Sequence, residues 1–394
     1  MSTTVPSVEP GASVPRSRPR MLRLGFDPLM ALAVLGICAC SITALRSIPS
    51  EPANFYADRQ LVYMAVGIVL AAALSRIDYS RLREVWYGLF GFLLVSLVAV
   101  ELIGNVAKGA QRAIIVGPVS FQASELGKVI MCVVLAAFVT DRARALGDRQ
   151  TTARTLLLAA IPAAMVLIQP DLGSSMVYGL ITLAVLFVAG VPWRHFAALF
   201  ALLVVAVTMV LVVAPLGGVE VLHGYQKDRL TSFINPNEAA SQEAYQQEQS
   251  KAAIGSGEKT GRGDRSTQTQ NGFLPEKQTD FIFAVVGERW GFAGAATVLS
   301  LYALLIWRGL RTVTLAKNLF GTLLAGGIVA MLLFQVFVNV GMTLGIMPIT
   351  GIPLPLMSYG GSAVITNLLA FGLLQSIYAQ GRAATAGKGR LVLS

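Results

Sequence analysis

FLPEKQTDFIFAVVGERWG, residues 273–291, is the stretch on which the reading of this chain turns. Before it the sequence is polar and charged; with it begins an apolar run of membrane type. Glu276 and Asp280 are four residues apart, a spacing that places both on one face if the segment is helical. A carboxylate pair at the edge of a bilayer is costly to keep, so its presence there marks a place to look for chemistry.

Working outward, the composition is that of an integral membrane protein. Of 394 residues 55% are hydrophobic and only 13% charged, with a mean hydropathy of +0.65. A soluble domain carries about 25% charged residues. Because about 20 apolar residues span a bilayer, ten runs are predicted to cross it, near 27–45, 60–76, 85–103, 124–140, 153–169, 172–192, 196–216, 280–307, 319–343 and 364–380. Gln169-Pro170-Asp171-Leu172-Gly173 forms a tight break between the fifth and sixth. The predicted class is an all-α polytopic membrane protein. A polar tail (1–24) precedes a transmembrane domain (25–382), and a second tail follows (383–394). Residues 217–279 form a large polar loop between spans 7 and 8, too long for an ordinary connection. Residues 1–24 have no apolar h-region, so no cleavable signal peptide is expected.

Lys and Arg placement sets the orientation. With ten spans both termini share a side. Eighteen basic residues fall on that side, among them Arg16, Arg18, Arg20, Arg23, Arg76, Arg83, Arg308 and Lys317. Four (Arg46, Arg59, Lys108 and Arg112) fall in the short loops opposite. Both termini are predicted to be cytoplasmic, with Glu276 and Asp280 outside. The net charge of +10 is then mostly positive-inside charge, and no nucleic-acid partner is implied. Cys38, Cys40 and Cys132 lie inside apolar runs and His195 is far from His223, so no disulfide or His/Cys metal site is predicted. GSGEKTGRG at 255–263 fails as a phosphate loop, because Thr260 stands where the Walker A spacing requires its second glycine.

The odd polar residues gather at the outer boundary. Arg112 lies in an outer connection. Just after it, Glu125 and Lys128 are three apart and pair if helical. Asp171 lies in the tight break. Each alone also reads as an interfacial charge or a helix cap; Asp280 in particular also reads as a first-turn acid behind a Thr279 N-cap. Together their convergence on one face predicts a site. NVGMTLGIMPITGIPLPLMSYGGSA, 339–363, is uncharged but broken by prolines and glycines. Such backbone at membrane depth must lie against protein or a water-filled cavity. It is predicted to be a re-entrant segment lining an outer cavity with Ser358, Tyr359 and Ser362.

Four blocks, GAQRAIIVGPVSFQASELGK (109–128), QPDLGSS (169–175), 273–291 and 339–363, together resemble the SEDS family of shape, elongation, division and sporulation proteins, the polytopic peptidoglycan glycosyltransferases. Their order and sidedness match as well. GIPLPLMSYGGSA looks more like the elongation members than the division members. Ala113 (usually Trp), Ala123 (usually Pro) and Gln278 (usually His) depart from the family pattern, and GEKTGRG is less apolar than usual.

The resemblance implies glycan polymerisation on the outer face of the bacterial cytoplasmic membrane, for elongation and cell shape. The donor is a glycan strand on undecaprenyl pyrophosphate, and the acceptor is lipid II through its sugar 4-hydroxyl. The hydroxyl must lose a proton to a positioned base, and the pyrophosphate leaving group must meet cations. Asp280 is the expected base. Glu276 is a like-charged neighbour that raises its pKa. Pro275 suits the first position of a helix, which puts Asp280 in its second turn. Arg112 and Lys128 are expected to meet the pyrophosphate or hold the carboxylates, with Glu125 and Asp171 organising the site. No motif demands a metal, although a divalent cation (Mg2+ or Mn2+) bridging pyrophosphate and a carboxylate is compatible with the set. The family's usual partner is a class B penicillin-binding protein, a transpeptidase. The alternative readings are a lipid II flippase or other transporter, and a non-catalytic scaffold for a cell-wall synthase.

Overall fold

The computed structural model describes residues 25–107, 110–116, 119–210 and 242–391, with backbone alone between 105 and 120 and beyond 386. The chain enters the bundle at Asp27, whose carboxylate accepts from the N–H groups of Leu29 and Met30 and starts α1 (Pro28–Arg46), with proline at the first helical position. Next come α2 (Phe55–Arg76) and α3 (Trp86–Ile103). A short antiparallel meander follows: β1 (Asn105–Ala107), β2 (Ala110–Val116) and β3 (Val119–Phe121). Ile115 pairs with Ser120 and Ile114 with Phe121. Helices α4 (Ala123–Asp141), α5 (Arg149–Ile168), α6 (Leu172–Val188) and α7 (Trp193–Thr208) complete the first part. After the large loop come α8 (Gln242–Ser256), the single turn α9 (Thr267–Gln270), α10 (Ile282–Leu315), α11 (Leu319–Thr343) and α12 (Gly361–Leu391).

Among the described residues eight helices, α1–α5 and α10–α12, are long and apolar enough to cross a membrane. The expected sixth span is shorter than predicted, since α6 is apolar but has 17 residues; α7 has 16, and the rest of the expected seventh run, 211–216, lies outside the described residues. Gly190, at φ +79°, turns the chain ahead of Pro192 and ends the first of these. Helix α12 runs through the boundary expected at 382. The helical class holds for every span; the meander is an addition to it, built where the β-branched run Ile114-Ile115-Val116 favours strand.

Helix α4 is the central post. Its residues from Val129 to Val139 are all buried, and α11 packs beside it. Around this core the outer helices expose large apolar side chains, including Leu102, Phe187, Trp193 and Phe200. An apolar exterior of this extent is untenable in water and suited to lipid. This is a membrane protein.

The contacts between helix termini distinguish two ends of the bundle. One end carries ion pairs between Arg308 and Asp27 (2.6 Å), Arg83 and Asp141 (2.7 Å), and Lys317 and Asp78 (3.1 Å). The other carries Asp280, Asp171 and the segment between α11 and α12.

The described part of the large loop, 242–281, folds onto the Asp280 end. Ser250 on α8 donates to the Thr343 carbonyl (2.8 Å). Two of the four glycines of GSGEKTGRG meet α10 backbone to backbone: a Cβ at Gly257 would lie 1.9 Å from the Gly287 carbonyl oxygen, and one at Gly261 2.1 Å from that of Arg289. At that point α10 is kinked by Gly291 (φ +62°, ψ −157°). The loop heals the break: the carbonyls of Glu258 and Lys259 accept from the N–H groups of Phe292 and Ala293 (2.9 and 3.1 Å). The motif that imitates a phosphate loop is therefore a backbone splint for α10.

Candidate active site

Asp280 and Glu276 do not share a helix. Helix α10 begins at Ile282, with Phe281 before it. Residues 275–281 form tight turns in which the Glu276 carbonyl accepts from the N–H groups of Thr279 (3.1 Å), Asp280 (3.1 Å) and Phe281 (3.3 Å). This corrects both readings of the segment: Pro275 does not open a helix, and Thr279 does not cap one. The reason lies at Glu276, whose φ of +52° is left-handed and incompatible with a right-handed helix. The Thr279 hydroxyl is occupied locally, against the carbonyl and carboxylate oxygens of Glu276 (3.3 and 3.2 Å).

What fixes Asp280 is its backbone. Three consecutive carbonyls are each taken by a different donor: Gln278 by the Tyr359 N–H (2.8 Å), Thr279 by the Ser358 hydroxyl (2.6 Å), and Asp280 by the Asn339 amide (2.9 Å). Asn339 also donates to the Ile352 carbonyl (2.9 Å). Gln60, on the second turn of α2, donates to the Ser358 carbonyl (3.0 Å) and accepts from the Gly360 N–H (3.3 Å). Uncharged amides and a hydroxyl thus hold the half-buried acid from three elements. Its carboxylate rests against Gly351: a Cβ there would be 3.7 Å from Asp280 Oδ2.

The other side of the 345–360 segment is backed by α6. A Cβ at Gly173 would lie 3.0 Å from the Thr350 carbonyl oxygen. Asp171 caps α6 through the Ser174 N–H (3.1 Å) and accepts from Ser124 Oγ (2.9 Å) and Gln122 Nε2 (3.4 Å). The Gln122 N–H donates to Ser362 Oγ (2.9 Å), which ties α4 to α12. Just below, Lys128 Nζ and Glu125 Oε1 pair at 2.6 Å, as the spacing predicts, and the residues are 1% and 3% exposed. Lys128 therefore holds a carboxylate.

The structure brings Asp280, Glu276, Asp171, Glu125, Lys128 and Ser362 to one end of the bundle. Ser358 is buried, and its hydroxyl also accepts from the Leu354 N–H (2.8 Å). Tyr359 is half-buried, edge-on to Tyr56 (5.1 Å between ring centres). Arg112 lies in β2, with its side chain outside those described. Lys277 donates to the Thr269 carbonyl; burial lowers its pKa from the usual lysine value, with Glu288 opposing. Glu288 is itself fully buried, accepting from the Gln268 and Thr269 N–H groups (2.8 and 2.9 Å) and the Thr269 hydroxyl (2.6 Å). Asn339, Gln60, Gln122 and Ser124 were not singled out in the sequence. A neutral amide within an apolar run is the signal that marks the first two.

The cell cycle protein family that groups FtsW, RodA and SpoVE matches residues 20–383. The chain belongs to this family. Within it, the chain is 38% identical over 358 residues to the peptidoglycan glycosyltransferase MrdB of Escherichia coli K12, covering 90% of this chain and 94% of that protein. A solved structure described as structural coordination of polymerization and crosslinking by a peptidoglycan synthase complex aligns over 91% of this chain and 99% of its own, at TM-score 0.76 and 31% identity. The rod shape determining protein RodA of Thermus thermophilus aligns over 90% and 97%, at TM-score 0.65 and 29% identity.

Chemically, the site offers a partly exposed carboxylate on an immobilised backbone, with a second carboxylate and several neutral donors nearby. Such a group is suited to accept a proton from a hydroxyl presented at the membrane boundary.

Proposed function

We propose that this chain is a peptidoglycan glycosyltransferase of the elongation type, polymerising lipid II on the outer face of the bacterial cytoplasmic membrane, with both termini cytoplasmic. The observation that carries the reading is the fixing of Asp280 through the carbonyls of residues 278–280, in a family member whose relatives bear that activity in their names. The lipid II 4-hydroxyl attacks the anomeric carbon of the donor strand. A new C–O bond forms as the bond to pyrophosphate breaks, and undecaprenyl pyrophosphate leaves. Asp280 takes the hydroxyl proton. Glu276 positions and tunes this acid. Arg112 supplies positive charge for the pyrophosphate, while Lys128 neutralises Glu125 and keeps the α4 end in place beside Asp171. The crosslinking partner is a class B penicillin-binding protein, in keeping with the synthase complex among the structural relatives.

The test is lipid II polymerisation by the purified chain in detergent, with and without the transpeptidase. Glycan strands are expected from the chain itself. Detergent has no leaflets, so a transporter yields none, and a scaffold yields strands only from its partner.

A further inference from the structure

At the end away from Asp280, α1, α2 and α12 enclose a groove of about 680 Å3. Its walls are apolar, and Leu35 and Ile68, both exposed on the outside of the bundle, form part of them, so the groove opens toward lipid. On α2 it runs from Ile68 to Arg76, about 12 Å at ~1.5 Å per residue. That is close to the ~15 Å half-thickness of a bilayer's hydrocarbon core. A transmembrane helix about 10 Å across and spanning the full core is too large for it. Behind the groove, Gln375 bonds the Asp27 backbone (2.7 and 3.1 Å), and the Asp27 carboxylate holds Arg308, so the wall is fixed by a buried ion pair.

The rim is polar and carries Arg76. Arg308, Arg83 and Lys317 at this end each have a carboxylate. Arg76 is exposed at the groove mouth, and among the described residues no carboxylate pairs with it. Basic pockets between membrane helices suit anionic lipid headgroups.

We propose that this groove binds one acyl chain of an anionic phospholipid, in the leaflet away from Asp280, with the lipid phosphate on Arg76. The inference is independent of the reaction assigned to the other end. It is tested by native mass spectrometry of the purified full chain in mild detergent, with phosphatidylglycerol or phosphatidylcholine of identical acyl chains added. The wild type is expected to retain phosphatidylglycerol about fivefold better, the equivalent of the ~1 kcal/mol contributed by one basic residue at an anionic surface. Arg76→Gln should bring the ratio to about one, and Ala72→Phe, which fills the groove, should abolish retention of either lipid. Equal retention of the two by the wild type overturns the proposal, as does a preference that survives Arg76→Gln. Retention unaffected by Ala72→Phe puts the lipid elsewhere, and no retained lipid at all points to a protein occupant; either result also overturns it. Should Ala72→Phe fail to fold, the Arg76 variant, at the exposed end of α2, decides alone.

Discussion

At the scale of single residues, neutral side chains set the position of the acid. Asn339 supplies both hydrogens of one amide to the carbonyls of Asp280 and Ile352. Replacing it leaves those carbonyls without their donor, at about 1–3 kcal/mol for each that stays unsatisfied. Asn339→Ala is expected to lower the unfolding midpoint and to cut polymerisation at least tenfold through kcat, with KM for lipid II less affected. A variant with wild-type turnover would place Asn339 outside the machinery. Lys128 makes a different case. Breaking a buried pair by removing one partner costs about 3–5 kcal/mol. Lys128→Met should destabilise strongly and lose activity, and Lys128→Met with Glu125→Gln should recover most of the stability. Failure of the double variant to recover would show that Lys128 has a second partner.

At the scale of elements, the outer loop and α10 form one unit. The glycine contacts leave no room for a side chain at Gly257 or Gly261, whereas a Cβ at Gly255 meets nothing within 4 Å. Gly257→Ala is expected to lift the loop from α10, raising hydrogen exchange at 258–263 and lowering activity; Gly255→Ala should do neither. Indistinguishable exchange in the two variants would remove the splint from the account. This is also where sequence reading fell short. The helices were legible from apolar run length, and the Glu125–Lys128 pair from its spacing. The turns at 275–281 were not, because the positive φ of Glu276 is imposed by tertiary contacts and leaves no mark in residue type. The glycines of 255–263 were visible, but nothing local says that Gly257 and Gly261 face another backbone. The meander was overlooked although Ile114-Ile115-Val116 carries a strand signal, because the twenty residues between the third and fourth apolar runs read as plain loop.

At the scale of the whole molecule, the two ends do different work. The end holding Asp27 and Arg308 is tied by ion pairs; at the other end neutral amides and a hydroxyl hold the backbone around Asp280, near the buried Lys128–Glu125 pair. Arg308→Met strands a buried carboxylate and should cost about 3–5 kcal/mol. Asp27→Asn added to it keeps an N-cap for α1 and should restore most of that. If the two ends are separable, the double variant polymerises lipid II at near wild-type rate; inactivity in a stably folded double variant would couple them. The division of labour also explains which part of the site the sequence revealed. Charged residues stand out against an apolar chain, whereas the carbonyls that Asn339, Gln60 and Ser358 hold become evident only when distant segments are brought together.

The central claim is that Asp280 is the base of a glycosyl transfer. It is tested most directly by incubating purified wild type and Asp280→Asn with lipid II in detergent and resolving the glycan strands formed. The account predicts strands from the wild type and none from Asp280→Asn, with both proteins monodisperse and unfolding at similar temperatures. Near-normal strands from Asp280→Asn would contradict it.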